Sequence, residues 1–462
     1  MSLSVELAAK LLSLHGLAVM IGLLIYVLAS HALKQRRHPA AAVGWVMVMV
    51  LLPYVGLPLY LLFGTRKLVH SGSHPPLVSH DPDMRGDGAW TRQLASAMGQ
   101  PPVAAYENLR IHANGVQALE ALWELIDCAE RELVLSTFIF GSDEFGDALA
   151  ARLIAKAQAG VRVRLMLDGV GRWMSGHRDL GALEAAGVRV VLFVPLLHSP
   201  LRGRTNLRNH RKIVVADGTR LWCGGRNLAA EYFTGSAGQA PWQDLTFDLH
   251  GPLARQAAGL FERDLAFATG LPPANSEHAE PRPGQRFGQV IASGPDQADD
   301  TVHALLVAGC FNARHRIIAA SPYFVPDVVL LMALTQAAWR GVVVDLILPR
   351  RSNHRMADHV RHRALRDLVA AGVRVWLVPY MNHAKAVVID DTLALAGSLN
   401  LDSRSLFLNY ELMVAFYAGE DVRRFAGWLE AQRDKATVYE AHAPGLLREL
   451  SEGLVLWLAF QL

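Results

Sequence analysis

One short pattern of residues occurs twice in this chain, and the repeat limits what the chain can fold into. The first copy comprises His210, Lys212 and Asp217, followed by Gly224-Gly225-Arg226-Asn227. The second comprises His383, Lys385 and Asp390, followed by Gly397-Ser398-Leu399-Asn400, and each position lies 173 residues after its counterpart. A single copy would be a weak signal, whereas two copies with identical internal spacing indicate a duplicated unit.

Each copy is typical of a β-hairpin that presents its polar residues to one spot. Side chains two apart on a strand point to the same face, so each His shares a face with its Lys. The apolar runs that follow, residues 213–216 and 386–389, are expected to be buried strands. We expect the two copies to meet and to surround one pocket with two His, two Lys and the amides of Asn227 and Asn400.

Such a pocket suits a phosphate diester. Ammonium and amide groups can hold the non-bridging oxygens, and the two imidazoles can act in line on opposite sides of phosphorus. One His, in its neutral form, would attack phosphorus and become a phosphohistidine, while the other, protonated, would give its proton to the leaving alkoxide. The alternative of two ordinary strand histidines explains an isolated His better than a doubled pattern.

With this repeated H-x-K-x4-D pattern the chain resembles the phospholipase D superfamily. Two further segments resemble bacterial cardiolipin synthases: Ser321-Pro322-Tyr323-Phe324-Val325-Pro326-Asp327, and Lys34-Gln35-Arg36-Arg37 ahead of an apolar run that contains Leu52-Pro53-Tyr54-Val55-Gly56. The resemblance implies a phosphatidyltransferase without a cofactor, which converts two phosphatidylglycerol molecules to cardiolipin and glycerol. Phosphatidylethanolamine is an alternative donor. The resemblance also implies that His210 of the first copy is the nucleophile.

The resemblance places the catalytic residues in the two motifs: His210, Lys212, Asp217, His383, Lys385 and Asp390. The candidate substrate-binding positions are Asn227, Asn400, Ser398 and Gly225. Gly225 departs from the second copy and from many relatives, which have Ser there, so we expect the two halves of the site to differ.

A neutral His that attacks through one nitrogen needs a carboxylate to hold the other N–H. Asp217 and Asp390 lie five residues past each Lys. At about 3.3 Å per residue they are too far to touch their own His, and they suit a turn-fixing role better. Asp244 and Glu411 match the positions of the His-orienting carboxylates in the superfamily and are the better candidates. Which of them serves which His is open.

Two long apolar stretches begin the chain. Residues 11–33 and 40–63 carry no formal charge, and each is long enough to span a hydrocarbon core of about 30 Å. We therefore expect two transmembrane helices, and the resemblance implies that this multi-pass protein lies in the bacterial inner membrane. Pro53, Gly56 and Pro58 predict that the second is kinked or re-entrant.

We predict an α/β fold in which two phospholipase D-like halves with mixed sheets, related by a pseudo-twofold axis, follow the two transmembrane helices. The expected boundaries are an anchor over 1–68, a linker over 69–105, halves over 106–281 and 282–442, and an apolar C-terminal helix over 443–462. The loop between Pro195 and His210 is longer than its counterpart. It combines leucines with Arg202, Arg204 and Arg208, which suits an anionic lipid head group.

Composition and anchorage weigh against other classes of protein. The net charge of +3 gives no argument for a nucleic-acid partner, and two membrane segments argue against a nuclease. Cys128, Cys223 and Cys310 are scattered without a C-x-x-C, so we expect neither disulfides nor a metal site. Two alternatives remain: a membrane-bound phospholipase D that forms phosphatidic acid, and a non-catalytic lipid-binding scaffold, against which the intact His and Lys pairs speak. The sequence does not indicate an oligomeric state.

Overall fold

The computed structural model describes residues 2–32, 39–64, 67–68, 88–176, 179–195, 205–236, 238–272 and 286–459. The basic connector at 34–37, most of the predicted linker, and residues 196–204 of the long loop lie outside the described residues.

Three N-terminal helices pack against one another: α1 (Ser2–Ala32), α2 (Pro39–Leu51) and α3 (Pro53–Phe63). Within the described ranges, α1 contains the one helical stretch, Ser13–Ser30, that is long and apolar enough to cross a membrane. The rings of Trp45 and Tyr60 have centroids 5.2 Å apart. If residues 45–60 formed one straight helix, Trp45 and Tyr60 would be about 22 Å apart along its axis.

The second apolar stretch therefore does not form a second straight span, and the predicted pair of transmembrane helices is not confirmed. The chain turns back at Leu52, whose φ of −136° and ψ of 58° are not helical. The cause is Pro53, since a proline disfavours the helical conformation of the residue before it. The expected kink is thus observed as a helical hairpin that packs against α1.

Helices and strands alternate in the rest of the chain. The helices are α4 (Ala89–Ala97), α5 (Gly115–Asp127), α6 (Glu144–Gln158), α7 (Gly169–Met174), α8 (Gly181–Ala185), α9 (Pro252–Thr269), α10 (Thr301–Asn312), α11 (Val328–Trp339), α12 (Arg355–Ala370), α13 (Ser403–Phe407), α14 (Gly419–Arg433) and α15 (Leu446–Ala459). The strands are β1 (Ala104–Ala105), β2 (Glu107–Ile111), β3 (Glu132–Thr137), β4 (Arg162–Asp168), β5 (Arg189–Phe193), β6 (Ile213–Ala216), β7 (Arg220–Gly224), β8 (Thr246–His250), β9 (Phe287–Ser293), β10 (Arg316–Ala320), β11 (Phe324–Val325), β12 (Val343–Pro349), β13 (Arg374–Val378), β14 (Ala386–Ile389), β15 (Leu393–Gly397), β16 (Leu401–Asp402), β17 (Glu411–Phe416) and β18 (Thr437–Val438).

Two sheets repeat the same topology. The first has the order β2-β8-β7-β6-β3-β4-β5, and the second contains β9-β17-β15-β14-β10-β12-β13, with β1 and β18 added at its edges. In the first sheet, β6 is antiparallel to β3, and β3 is parallel to β4. In the second sheet, β14 is antiparallel to β10, and β10 is parallel to β12. The predicted duplicated α/β fold with mixed sheets is confirmed.

The two sheets share one hydrophobic core. Phe247 on β8 and Phe416 on β17 are fully buried, and their ring centroids lie 5.2 Å apart. A single core cluster contains residues of both sheets. The strand ends that carry the two motifs are thereby held against each other at the seam between the halves.

Two peripheral segments also belong to this body. Residues 89–105, which we expected to be linker, form α4 and β1, and Gln100 Oε1 accepts a hydrogen bond from Ala292 N–H at 2.8 Å. At the other end of the chain, α15 packs on α12. The fully buried carboxylate of Glu452 pairs there with Arg366 at 2.5 Å and with Arg448 at 3.0 Å.

Candidate active site

The two His–Lys pairs lie at the seam, each directly before a central strand. His210 and Lys212 precede β6, and His383 and Lys385 precede β14. Lys212 Nζ donates to the backbone carbonyl of His210 at 2.7 Å, and Lys385 Nζ donates to that of His383. Each Lys therefore shares a face with its His, as two alternate residues of an extended segment do.

Backbone hydrogen bonds join the halves twice at this seam. His210 N–H donates to Tyr410 O at 2.9 Å, and His383 N–H donates to Gln243 O at 2.6 Å. Tyr410 and Gln243 are the residues immediately before the two candidate carboxylates. Each histidine segment is thus paired with the acidic segment of the other half.

This pairing crosses the carboxylates between the halves. Asp244 Oδ2 lies 2.7 Å from His383 Nδ1, and Glu411 Oε1 lies 3.5 Å from His210 Nδ1. Both carboxylates are fully buried. The shorter distance is that of a charge-assisted hydrogen bond, whereas 3.5 Å is beyond the usual range for one. The partner of each His, which the sequence left open, is therefore the carboxylate of the opposite half.

Gly225 and Ser398 make the two carboxylates unequal. Ser398 Oγ donates to Glu411 Oε2 at 2.5 Å. A Cβ atom on Gly225 would come within 2.3 Å of Asp244 Oδ1. Asp244 thus occupies the space that a side chain at position 225 would need, and this allows it to reach its His. Both positions therefore lie against the carboxylates, and the substrate-binding role expected for them stays a prediction.

The ring nitrogens of the histidines have different neighbours. If His383 Nδ1–H donates to Asp244, that nitrogen cannot accept from Lys385, whose Nζ lies 2.8 Å away, and Nε2 remains for chemistry. His210 Nδ1 lies 3.4 Å from Asn409 Nδ2, which is also 3.3 Å from Glu411 Oε1. The side-chain amide of Asn409 thus lies beside the His210–Glu411 pair, which is the more widely separated of the two.

Burial and crowding of cations shift the pKa values of this site. Desolvation, followed by the positive charge of Lys385, lowers the pKa of His383 to about 4. Desolvation, followed by the positive charge of Lys212, holds the pKa of His210 well below its usual value. Desolvation also lowers the pKa of Lys385 to about 7 and raises that of Glu411 to about 7. An anionic substrate would favour the protonated forms of these bases, because it adds negative charge among them.

Aromatic rings that sequence analysis did not assign flank both histidines. The ring of Phe138 lies 4.2 Å from that of His210, between centroids, and Tyr232 and Trp242 lie 5.2 Å and 5.6 Å from His383. Trp242 precedes Asp244 by two residues, as Asn409 precedes Glu411. Alignment of the two acidic segments would have revealed this difference between the halves.

The two motif asparagines lie beside hydroxyl groups. Asn227 Nδ2 donates to Tyr232 OH at 2.7 Å, and Asn400 Nδ2 donates to Ser405 Oγ at 3.2 Å. Both asparagines are buried, and their Oδ1 atoms have no hydrogen-bond partner among the described residues. Since a hydroxyl both donates and accepts, either end of each amide can face the hydroxyl while the other end faces a ligand.

The motif aspartates do not reach the site. Asp217 accepts hydrogen bonds from the backbone N–H groups of residues 130–132, and Asp390 accepts from those of residues 314–316. Both have positive φ, 53° and 50°, as tight turns often require. At the far ends of β6 and β14 they hold turns, as strand length suggests, and a catalytic role for them stays a prediction without a contact to support it.

Arg211, between the first His and Lys, has a structural role that the sequence did not reveal. Its side chain is fully buried, pairs with Asp264 and with Asp296 at 3.0 Å, and donates through Nε to Glu411 O at 3.0 Å. The second motif has Ala384 at the corresponding position. That difference between otherwise matching copies was the signal in the sequence.

The predicted lipid-binding loop is described only at its end. Arg202 and Arg204 fall outside the described residues. Arg208 is buried, and its guanidinium donates to Val194 O at 2.9 Å and contacts Asp168 at 3.4 Å. Arg208 therefore supports the first half from within, and its guanidinium is already engaged.

Comparison with known proteins gives consistent matches. The family model "Cardiolipin synthase, PLD-like domain" matches residues 122–263 and 310–433, and "Phospholipase_D-nuclease N-terminal" matches residues 19–64. Cardiolipin synthase A of Pseudomonas aeruginosa is 32% identical, covering 87% of this chain and 87% of that protein. Cardiolipin synthase of Geobacillus kaustophilus is 31% identical over 84% of this chain and 82% of that protein.

A solved structure shows a similar fold. The phosphatidylserine synthase of Haemophilus influenzae aligns with a TM-score of 0.61 at 14% identity, covering 80% of this chain and 98% of that one. At this identity the likeness concerns the fold alone, whereas the family models and sequence relatives concern the family. The chain therefore belongs to the bacterial cardiolipin synthase family of the phospholipase D superfamily, a family of phosphatidyltransferases.

Proposed function

We propose that this protein is a membrane-bound cardiolipin synthase, which transfers a phosphatidyl group from one phosphatidylglycerol to a hydroxyl of another. The observation that carries the proposal is the meeting of two crossed His–carboxylate pairs and two lysines at the seam, where the charge of Lys385 contributes to the lowered pKa of His210 in the other half. Relatives named cardiolipin synthase support the choice of lipid substrates. The helix of spanning length in α1 supports a membrane location, and we propose the bacterial inner membrane.

The reaction would proceed in two displacements. First, His210 attacks phosphorus, the bond between phosphorus and the glycerol head-group oxygen breaks, and His383 gives its proton to that oxygen. The phosphatidyl group is then carried by His210 as a phosphohistidine. Second, a hydroxyl of another phosphatidylglycerol gives its proton to His383 and attacks phosphorus. Cardiolipin leaves, and both histidines return to their starting states.

The unequal surroundings of the histidines support this division of roles. A nucleophile must be neutral, and desolvation and the charge of Lys212 hold the pKa of His210 well below its usual value. A general acid must hold a proton. Burial lowers the pKa of His383 as well, to about 4 in the ligand-free protein, but the carboxylate of Asp244 at 2.7 Å and a bound anionic diester both favour its protonated form. Asp244 would also keep the His383 ring oriented, with Nε2 towards the leaving oxygen.

Positive charge for the transition state would come from side chains. Lys212 and Lys385 can contact the non-bridging oxygens, and the amides of Asn227 and Asn400 can donate to them once their NH2 groups face the ligand. In the described ranges, no group of three or more His, Cys, Asp or Glu side chains is placed to hold a metal ion. The lysines would thus supply the charge that a metal supplies in other phosphoryl-transfer sites.

Product analysis tests this function. The full-length protein in detergent would be incubated with phosphatidylglycerol labelled in both its glycerol head group and its acyl chains. We expect cardiolipin and free glycerol in equal amounts. Formation of phosphatidic acid without cardiolipin would show that water is the acceptor and that the protein is a phospholipase D. Replacing the donor with head-group-labelled phosphatidylethanolamine would test the alternative donor through release of ethanolamine.

A matched pair of variants controls this experiment. His383→Gln should abolish both products. His303→Gln should retain them, because His303 belongs to neither motif and is a partly buried histidine that pairs with Asp327 at 2.9 Å. Equal loss of activity in both variants would indicate damage to the fold rather than to the site.

A further inference from the structure

The edge of the body that contains the active site has exposed apolar side chains. In the second half, β10 and β12 end at this edge, so the helices that follow them, α11 and α12, begin there. Val328, Val329 and Met332 at the start of α11 are 62%, 43% and 49% exposed, and Met356 at the start of α12 is 54% exposed. The opposite face of α11 is buried in the core, so Val328, Val329 and Met332 form a second, exposed apolar face on this helix.

Basic side chains lie next to this apolar face. The segment between β12 and α12, together with the first residue of α12, contains Arg350, Arg351, His354 and Arg355, all of which are exposed. The first carboxylate after them, Asp358, pairs with Arg361. Apolar side chains beside a cluster of arginines are typical of surfaces that contact anionic lipid head groups.

The first half presents a smaller apolar group at the corresponding place. Helix α7 follows β4 at the same edge, and Trp173 and Met174 at its end are each 59% exposed. Tryptophan is favoured where a membrane meets water, because its ring is apolar and its N–H is polar.

The N-terminal anchor joins the body at this edge as well. Lys67 lies four residues after the end of α3. Its Nζ donates to the carbonyls of Gly294, Gln297 and Asp299 at 2.9, 3.2 and 3.1 Å and pairs with Asp300 at 2.9 Å. The loop over residues 294–300 follows β9, whose end lies beside the start of β17 at Glu411. A bilayer that holds the anchor would therefore face the active-site edge.

From these four observations we propose that the active-site edge docks on an anionic phospholipid bilayer through a defined surface. This docking surface consists of Val328, Val329, Met332 and Met356, the arginines at 350, 351 and 355, and Trp173 with Met174. The proposal rests on the proposed function, and it adds how lipid substrates reach the site. They would move from the bilayer plane into the seam, with their head groups leading, and would not need to enter water.

Depth-dependent quenching tests the docking surface. The full-length protein would be reconstituted into phosphatidylglycerol nanodiscs that contain lipids with quenchers at known depths. A fluorescent label would be placed at Val328→Cys or Trp339→Cys in a Cys128→Ser background, since Cys223 and Cys310 are buried. Both positions are similarly exposed, at 62% and 67%, at opposite ends of α11, about 16 Å apart along the helix axis.

We expect at least fivefold stronger quenching at position 328 than at position 339. Equal quenching, or stronger quenching at 339, would overturn the proposal. Charge reversal by Arg351→Glu with Arg355→Glu should reduce the quenching at 328, and an unchanged value would also contradict an anionic partner.

The measurement separates docking from catalysis. It would be repeated in a His383→Gln background, where no turnover is expected. If the label at position 328 is quenched but the protein with His383 intact forms no cardiolipin, docking is supported and the proposed function is refuted. Cardiolipin formation without quenching at 328 would retain the function and refute docking.

Discussion

Replacing the two crossed carboxylates by their amides should affect catalysis unequally. Asp244→Asn removes the charge 2.7 Å from His383 Nδ1, whereas Glu411→Gln removes a charge 3.5 Å from His210 Nδ1. At an effective dielectric constant of about 20, the two Coulomb attractions differ by about 1.4 kcal/mol, which corresponds to a factor of about ten in rate. The pKa of about 7 at Glu411 reduces its charge further at neutral pH.

We therefore expect Asp244→Asn to lower the chemical rate by a factor of about 10² or more, as when a catalytic His loses its orienting partner. Glu411→Gln should lower the chemical rate by a factor that is about ten times smaller. The assay is single-turnover cardiolipin formation at saturating phosphatidylglycerol, with the melting temperature measured for each variant. A structural defect would lower the melting temperature, whereas a positioning defect should change the rate and the pH profile with little change in lipid binding.

Asp248→Asn is the matched control. Asp248 lies four residues after Asp244 and pairs with the buried His112 at 2.9 Å, so it too is a His–Asp pair, but outside the site. Its replacement should affect stability more than rate. Near wild-type turnover in Asp244→Asn, or a loss in Glu411→Gln that exceeds that of Asp244→Asn, would refute the assignment of the closer carboxylate as the more important one.

Four further outcomes are expected. Both His210→Ala and His383→Ala should abolish turnover, and rapid denaturation during turnover at neutral or mildly alkaline pH, which preserves the acid-labile P–N bond, should trap the phosphatidyl group on His210; label on His383 would reverse the two roles. Exhaustive chelation should leave turnover near normal, and complete loss restored by one divalent ion would contradict charge stabilisation by Lys212 and Lys385. Rate against pH should be bell-shaped. Burial lowers the pKa of His383 to about 4 in the ligand-free protein, and a bound anionic diester favours the imidazolium form. The alkaline limb of the pH profile should therefore lie at higher pH for kcat than for kcat/KM. Alkaline limbs at the same pH for both parameters would contradict this expectation. Asp217→Ala should destabilise the fold by about 2 kcal/mol or more in denaturant unfolding, because it removes the acceptor for three backbone N–H groups, and a rate loss at unchanged stability would show a catalytic role instead.

Local patterns in the sequence were sufficient for the secondary structure around the motifs. The spacing of the two copies predicted two mixed α/β halves, and β6 and β14 have the predicted bounds, residues 213–216 and 386–389. Strand alternation placed Lys212 and Lys385 beside their own histidines, since this depends on neighbouring residues alone. Strand length also indicated that Asp217 and Asp390 belong to turns.

Contacts between distant residues could not be predicted in the same way. Pro53 allowed a kink in the second apolar stretch to be predicted, but the full turn into a hairpin of α2 and α3 also involves packing against α1, which hydropathy over a window does not reveal. Arg211 lies within the motif, yet its role depends on Asp264 and Asp296, which are brought to it by α9 and by the loop after β9. The displacement of Asp244 towards His383 depends on the missing side chain of Gly225.

The sequence by itself determined the duplicated architecture and the identity of the two His–Lys pairs, because repeat spacing and strand periodicity are local properties. The two candidate carboxylates were identified by resemblance to the superfamily. Only the tertiary structure decided that each carboxylate serves the His of the other half and that the two pairs are unequal. The reason is that His383 and Asp244 are 139 residues apart, and His210 and its neighbour Asn409 are 199 apart. Such contacts depend on how the two sheets meet at the seam, which no local pattern of residues specifies.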